Sequence, residues 1–209
     1  MRRVANQIIR ATICGFVGLG AGAASAQAYA DLPIAASMAG TSGEIRAVPA
    51  WNRFCEEHPE ECAVDVAEPA TVRLTRQAWH RIVSINSRVN ATVRPLTDED
   101  HWGIADQWDF PSDGFGDCED YQILKRRLLV EAGLPRRALR MTVVIDEKGE
   151  GHAVLMVRTD RGDFILDNKV QSVLPWDRTG YLFVKREGQD SPAWTSFGDS
   201  PSPITTANR

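Results

Sequence analysis

The chain has only four histidines and four cysteines among 209 residues, so an imidazole base must come from His58, His80, His101 or His152. Beyond the N-terminus no segment approaches the roughly 20 apolar residues that a membrane-spanning helix requires, and there is no internal repeat. Stable membrane insertion of the mature chain is therefore not expected. Basic residues are outnumbered, 24 Lys and Arg against 28 Asp and Glu, which argues against nucleic acid as a partner.

The first 26 residues place Arg2, Arg3 and Arg10 ahead of a short apolar run through Ile13, Phe16, Val17 and Leu19, and close on Ala24-Ser25-Ala26. This is the pattern of a secretory signal with a small-residue cleavage site. A retained anchor is the competing reading, but the run is short and diluted by Gly15, Gly18, Gly20 and Gly22. Ile13 is too bulky to precede a lipidated Cys14, so Cys14 is expected to leave with the signal. Removing three arginines and no acids takes the formal charge from −4 to −7. The expected organisation is a signal peptide over 1–26, a flexible lead-in over 27–48, one domain over 49–187 and a disordered polar tail over 188–209.

The mature chain keeps three cysteines, and an odd count in an oxidising compartment leaves a free thiol or an intermolecular bridge. Cys55 and Cys62 flank EEHPEE. On an unbroken helix they would lie about 10 Å apart, too far for a disulfide, but Pro59 should break the helix and let the ends turn together. A local Cys55–Cys62 bridge is the favoured arrangement. A zinc site from Cys55, His58 and Cys62 is the alternative, with only three ligands in this stretch and no second cluster.

Leu74, Ala78, Ile82, Ile85 and Val89 recur at helical spacing and predict one long helix over 71–93, ended before Pro95. Thr97 followed by Asp98, Glu99 and Asp100 reads as an N-cap and acidic first turn of a short helix carrying His101 to Trp108. A second helix should follow Cys118, buried through Tyr121, Leu124, Leu128 and Ala132 and stopped by Gly133. Then the period changes to two. Met141 to Asp146, His152 to Thr159 and Phe164 to Asp167 predict an antiparallel meander, with a further strand over Tyr181 to Lys185.

The nine residues DGFGDCEDY put Cys118 where a glycine-rich loop becomes a helix. Unpaired N–H groups and the positive end of the helix dipole stabilise a thiolate there. A thiol nucleophile also needs a base and a group to orient that base. His152 is the candidate base, because a turn centred near Asp160 and Arg161 would make it a diagonal neighbour of Asp167 on the next strand. A shift of one residue would put them on opposite faces. The bland alternative is that His152 caps a turn and Asp167 belongs to a solvated loop.

Cys118 at a helix start, His152 at a strand start and Asp167 on the next strand resemble the transglutaminase-like branch of papain-type enzymes. GDCEDYQILKRRLLVEAGLP and GHAVLMVRTDRGDFILDN, with the upstream WNRFCEEHPEEC and DQWDFP, are similar to the bacterial transglutaminase-like cysteine proteinases of the LapG type. The likeness extends from about Trp51 to Val184. It implies an α+β papain-like fold, N-terminal helices on an antiparallel sheet, with the cleft between the Cys118 helix and the His152 and Asp167 strands. It further implies Cys118 as nucleophile, His152 as general base and then acid, Asp167 as orienting group, and Ca2+ held by Asp117 and Glu119, with Asp113 and Asp120 as additional candidates. A cation there has a physical rationale, since two flanking carboxylates would otherwise raise the thiol's pKa. The alternative is that Asp117 caps the helix while Glu119 and Asp120 complement its dipole. The Cys118 N–H is the natural oxyanion donor, and Trp102 or Trp108 would be an indole donor or a packing residue.

By the same resemblance the protein would be a periplasmic endopeptidase that cuts the N-terminal retention region of a large surface adhesin at a dialanine-type site, loosening a biofilm. An inner-membrane receptor for cyclic di-GMP would restrain it by sequestration. Two other functions fit the same residues: acyl transfer to an amine by a transglutaminase or amidase, and a non-catalytic calcium-binding adaptor.

Overall fold

The computed structural model of the protein describes residues 32–198; the expected signal segment, with Cys14, lies outside them. In chain order the elements are β1 (Ser42–Ile45), α1 (Pro49–Glu57), α2 (Pro59–Cys62), α3 (Arg76–Thr92), β2 (Arg94–Pro95), α4 (Asp98–Trp102), β3 (Phe115–Gly116), α5 (Cys118–Glu131), β4 (Leu139–Ile145), β5 (Gly151–Thr159), β6 (Gly162–Leu166), β7 (Leu174–Pro175), β8 (Leu182–Glu187) and β9 (Trp194–Ser196). Seven strands make one sheet in the order β1-β9-β8-β4-β5-β6-β7, with each neighbouring pair antiparallel. The α+β class is as expected, with helices packed on an antiparallel sheet.

The period-two alternation of the central strands explains how both faces of the sheet are covered. Leu155 and Val157 of β5 join the main core with Trp51, Phe54, Ile82, Val89 and Leu129 from the helices. Val154 and Met156, pointing the other way, join a smaller cluster with Val144, Ile165 and Phe183. The helices therefore bind one face, and α5 lies directly on β5.

Pro59 divides the first helical segment as its chemistry requires. The His58 N–H closes α1 on Phe54 O at 2.8 Å, and Pro59 occupies the first position of α2, where its missing N–H costs nothing. The turn brings the Cys55 and Cys62 Cα atoms to 5.6 Å, and the two are bridged. That bridge consumes the thiolates a zinc site would need.

Four expectations are corrected. The helix expected from Thr71 begins only at Arg76, because Thr75 is its N-cap and accepts from the Ala78 N–H at 3.1 Å. The helix expected to reach Trp108 stops at Trp102, where Gly103 takes φ +71° and closes it. The inner face of α5 is more polar than its apolar spacing suggested, with Gln122, Lys125 and Arg126 fully buried beside Ile123 and Leu129. Finally, part of the expected flexible lead-in and part of the expected disordered tail are strands. Ile45 pairs with Trp194 and Glu44 with Thr195; the Trp194 indole is buried, its ring 6.0 Å from Trp51. Strands of three or four residues carry too little periodicity to be seen in a polar sequence.

Candidate active site

Cys118 is the first residue of α5. The strand before it is fixed from the side: Arg94 and Leu96 donate to the Gly114 and Gly116 carbonyls at 2.9 and 3.0 Å. Gly116 is required by close approach, since a Cβ there would sit 2.8 Å from Asp120 Cβ. The Asp117 N–H in turn donates to Asp120 Oδ2 at 3.3 Å, tightening the turn into the helix. Cys118 has no exposed surface. Its Sγ donates to Glu119 Oε2 at 2.9 Å and accepts from the Ala153 N–H at 3.3 Å, so the start of β5 lies against the thiol.

The β5–β6 register is the expected one, with Leu155 opposite Leu166 and Thr159 opposite Gly162. It brings His152 Nε2 to 2.9 Å from Asp167 Oδ1. Asp167 Oδ1 also accepts from the Lys169 N–H at 3.0 Å, and Oδ2 accepts from the Tyr181 hydroxyl at 2.7 Å. Asn90 of α3 holds the Asp167 carbonyl at 2.8 Å. Burial pushes the Asp167 carboxyl upward, but the His152 hydrogen bond and charge, then Tyr181 and the Lys169 amide, hold it below the usual carboxylate range. Cys118, His152 and Asp167 are thus brought together. Tyr181 was not foreseen, because it reaches the site from beyond β7.

Asp117 and Glu119 belong to a larger buried acidic cluster. Carboxylate oxygens of Asp98, Asp106 and Glu119, and of Asp98, Asp117 and Asp120, lie within 4.8 Å of one another. All five residues are buried. Burial and then the charge of Asp98 raise Asp117 to about 7; burial raises Asp98 to about 6 against the opposing Gln107 amide. Glu119 and Asp120 are pushed well up by burial and then by Asp117. Asp117 Oδ1 and Glu119 Oε1 are buried with no hydrogen-bond partner. Burying so much like charge with acceptors unanswered is costly, and an all-oxygen set of this kind suits a hard divalent cation. Asp120 joins the cluster. Asp113 does not, being exposed and paired with His101 at 2.9 Å. Asp98 was missed because TDED reads as an ordinary helix cap, and Asp106 because it stands in an irregular loop with no ligand spacing around it.

The same charges act on the thiol. Burial, then Glu119 and Asp117, push the Cys118 pKa well above the ordinary thiol range, outweighing the helix-start effect. A cleft of about 420 Å³ is lined by Leu96, Thr97, Asp100, Cys118, Lys148, Asn168 and Lys169. Trp108 packs against Trp51, their rings 5.1 Å apart, and Trp102 stacks on His101 at 3.8 Å. His58 packs on Phe54 and Phe110, and His80 is exposed on α3.

A buried thiol at a helix start, with an imidazole–carboxylate pair on the facing strands, defines a thiol enzyme of the papain-like α+β class. The sequence model of the bacterial transglutaminase-like cysteine proteinases (BTLCP) matches residues 42–202, and the chain belongs to this family. It is thus a transglutaminase-like cysteine protease. Three solved structures of Legionella pneumophila LapG are similar to it. One shares 25% identity over 53% of this chain and 72% of that one, with a TM-score of 0.44. A calcium-bound form shares 24% over 63% and 84%, TM-score 0.45; an EGTA-treated form shares 20% over 69% and 83%, TM-score 0.44. No curated protein matches the chain.

Proposed function

We propose that the protein is a calcium-dependent periplasmic endopeptidase whose nucleophile is Cys118, with His152 as base and acid and Asp167 as the group that orients it. The observation that carries this reading is the His152 Nε2 to Asp167 Oδ1 contact of 2.9 Å at the strand whose Ala153 N–H touches the Cys118 sulfur. With Nε2 committed to Asp167, Nδ1 is the nitrogen that takes the thiol proton. The thiolate then adds to a peptide carbonyl in the cleft, and the Cys118 N–H at the helix start donates to the developing oxyanion. Collapse of the adduct breaks the C–N bond, and His152 returns its proton to the leaving amine. Water, deprotonated by the same imidazole, hydrolyses the thioester and frees the thiol.

Asp117 and Glu119 would hold the calcium, with Asp98, Asp106 and Asp120 around them. The cation supplies positive charge where these carboxylates otherwise raise the thiol's pKa. As substrate we propose the N-terminal retention region of a large surface adhesin, cut at a dialanine-type site to release attachment, with an inner-membrane cyclic di-GMP receptor as the sequestering partner. No helix among the described residues is long and apolar enough to cross a membrane, and the N-terminal residues have the composition of an export signal.

The test is cleavage of a candidate adhesin N-terminal fragment by the mature protein, with calcium and then with chelator. Calcium-dependent cleavage that Cys118→Ala abolishes is the expected result. Full cleavage by Cys118→Ala would overturn the nucleophile, and unchanged calcium binding by the Asp117→Ala, Glu119→Ala double variant would overturn the metal site. Incorporation of a primary amine in place of cleavage would turn the reading to acyl transfer.

A further inference from the structure

Asp167 has two oxygens, and the donors to them come from three parts of the chain. Oδ1 faces His152 Nε2 at 2.9 Å and the Lys169 N–H at 3.0 Å. Oδ2 receives the Tyr181 hydroxyl at 2.7 Å. Donors on one oxygen alone leave the carboxylate plane free to tilt about the Cβ–Cγ bond, and the Tyr181 hydroxyl on the other oxygen fixes the plane presented to the imidazole. The Tyr181 ring also meets the His152 ring edge to face, with centroids 5.6 Å apart and planes at 80°. One side chain therefore touches both members of the pair.

The backbone before Tyr181 is built to deliver it. Gly180 takes φ +78°, a left-handed conformation that residues with a Cβ avoid. The Thr179 hydroxyl accepts from the Tyr181 N–H at 3.3 Å and donates to the Trp176 carbonyl at 3.0 Å. Trp176 packs on Phe183 at 5.3 Å, fixing the turn to the first part of β8. Burial, and then the Asp167 hydrogen bond, raise the Tyr181 pKa, so the phenol remains a neutral donor at any pH where the protein works.

We propose that Tyr181 is a positioning residue for the protease reaction: its hydroxyl fixes the plane of the Asp167 carboxylate that faces His152 Nε2, and its ring limits the swing of the imidazole. The inference rests on the reading of Cys118, His152 and Asp167 as the reacting set. It adds a fourth residue that acts through His152 and Asp167 and not on the substrate.

The test compares the mature wild-type protein with Tyr181→Phe, Asp167→Asn and a protein carrying 3-fluorotyrosine at position 181. The readouts are the proton resonance of the His152 Nε2–H, its exchange rate with water, and kcat and KM on a fluorogenic dialanine-site peptide. Tyr181→Phe keeps the ring and is expected to shift the resonance, speed its exchange and lower kcat roughly three- to tenfold with KM unchanged. The more acidic fluorophenol should move the resonance the opposite way. An unmoved resonance and unchanged kcat in both tyrosine variants would overturn the proposal. Asp167→Asn separates the two levels of the argument. Full activity in that variant would sink the triad itself, whereas an inactive Asp167→Asn beside a fully active Tyr181→Phe would sink only the role of Tyr181.

Discussion

The Cys118 thiol donates to Glu119 Oε2 at 2.9 Å, so the proton that catalysis must remove is directed at a neighbouring carboxylate. Burial already disfavours the thiolate, and Glu119 and Asp117 disfavour it further. A cation that engages Glu119 would withdraw both the acceptor and the repulsion. The expected outcome is slow alkylation of Cys118 by iodoacetamide at pH 7 in chelator and roughly tenfold or faster alkylation in calcium, about 1.4 kcal/mol or more of relief. Equal rates in the two conditions would show that the acidic cluster does not govern the thiol.

The cluster also sets a stability dependence whose sign is fixed. Asp98 and Asp117 titrate near 6 and 7 in the folded chain, against about 3.9 for an unfolded aspartate. Between those values the folded state binds more protons, so stability falls as pH rises. In chelator the midpoint temperature should therefore drop from pH 5 to pH 7.5. Calcium held by the proposed site would bind the folded chain alone and should raise it, by more at pH 7.5 than at pH 5. Thermal scans at the two pH values check this. An equal calcium shift at both would exclude these carboxylates as the ligands.

Much of this site was legible because it depends on local rules. The turn between β5 and β6 fixes its register, and the register alone carries His152 to Asp167; Pro59 alone turns Cys55 toward Cys62. What stayed hidden depends on tertiary placement. Asp98 and Asp106 become cluster members only because the α4 segment folds back over the start of α5. Tyr181 finds Asp167 through a turn whose sequence, DRTGY, marks a bend and says nothing of its direction. The β1–β9 pair is visible only once the Trp194 side chain is seen to enter the core from a polar tail.

That last feature predicts a cost. Trp194 is buried among Trp51 and Trp108, with ring centroids at 6.0 and 6.4 Å. Trp194→Ala should destabilise by about 3–5 kcal/mol, as large aromatic truncations in a core do. A surface substitution at Pro192 should change little. Urea unfolding measures both, and a loss under about 1 kcal/mol for Trp194→Ala would mean that the pairing of β1 with β9 contributes little to the fold.

Lys125 presents the opposite case, a buried group that the fold would tolerate losing. It lies on the inner side of α5 with no exposed surface, and its Nζ has no hydrogen-bond partner; the Tyr121 ring is 5.9 Å away. Burial lowers its pKa to about 7, and the charge of Asp167 opposes that shift. An unfolded lysine keeps its proton to about 10.4, so between those values the unfolded chain binds more protons and stability rises with pH. Below pH 7 the folded protein carries the full cost of a buried ammonium whose donors are unanswered. Lys125→Met keeps the stem and removes the charge, and should stabilise by roughly 2–4 kcal/mol at pH 6, less whatever attraction to Asp167 is lost. The gain should shrink as pH rises toward 10. Urea titrations of both proteins at pH 6 and pH 9.5 decide the matter: a variant less stable than wild type at pH 6 would show that the Lys125 charge is used by the Asp167 side of the site.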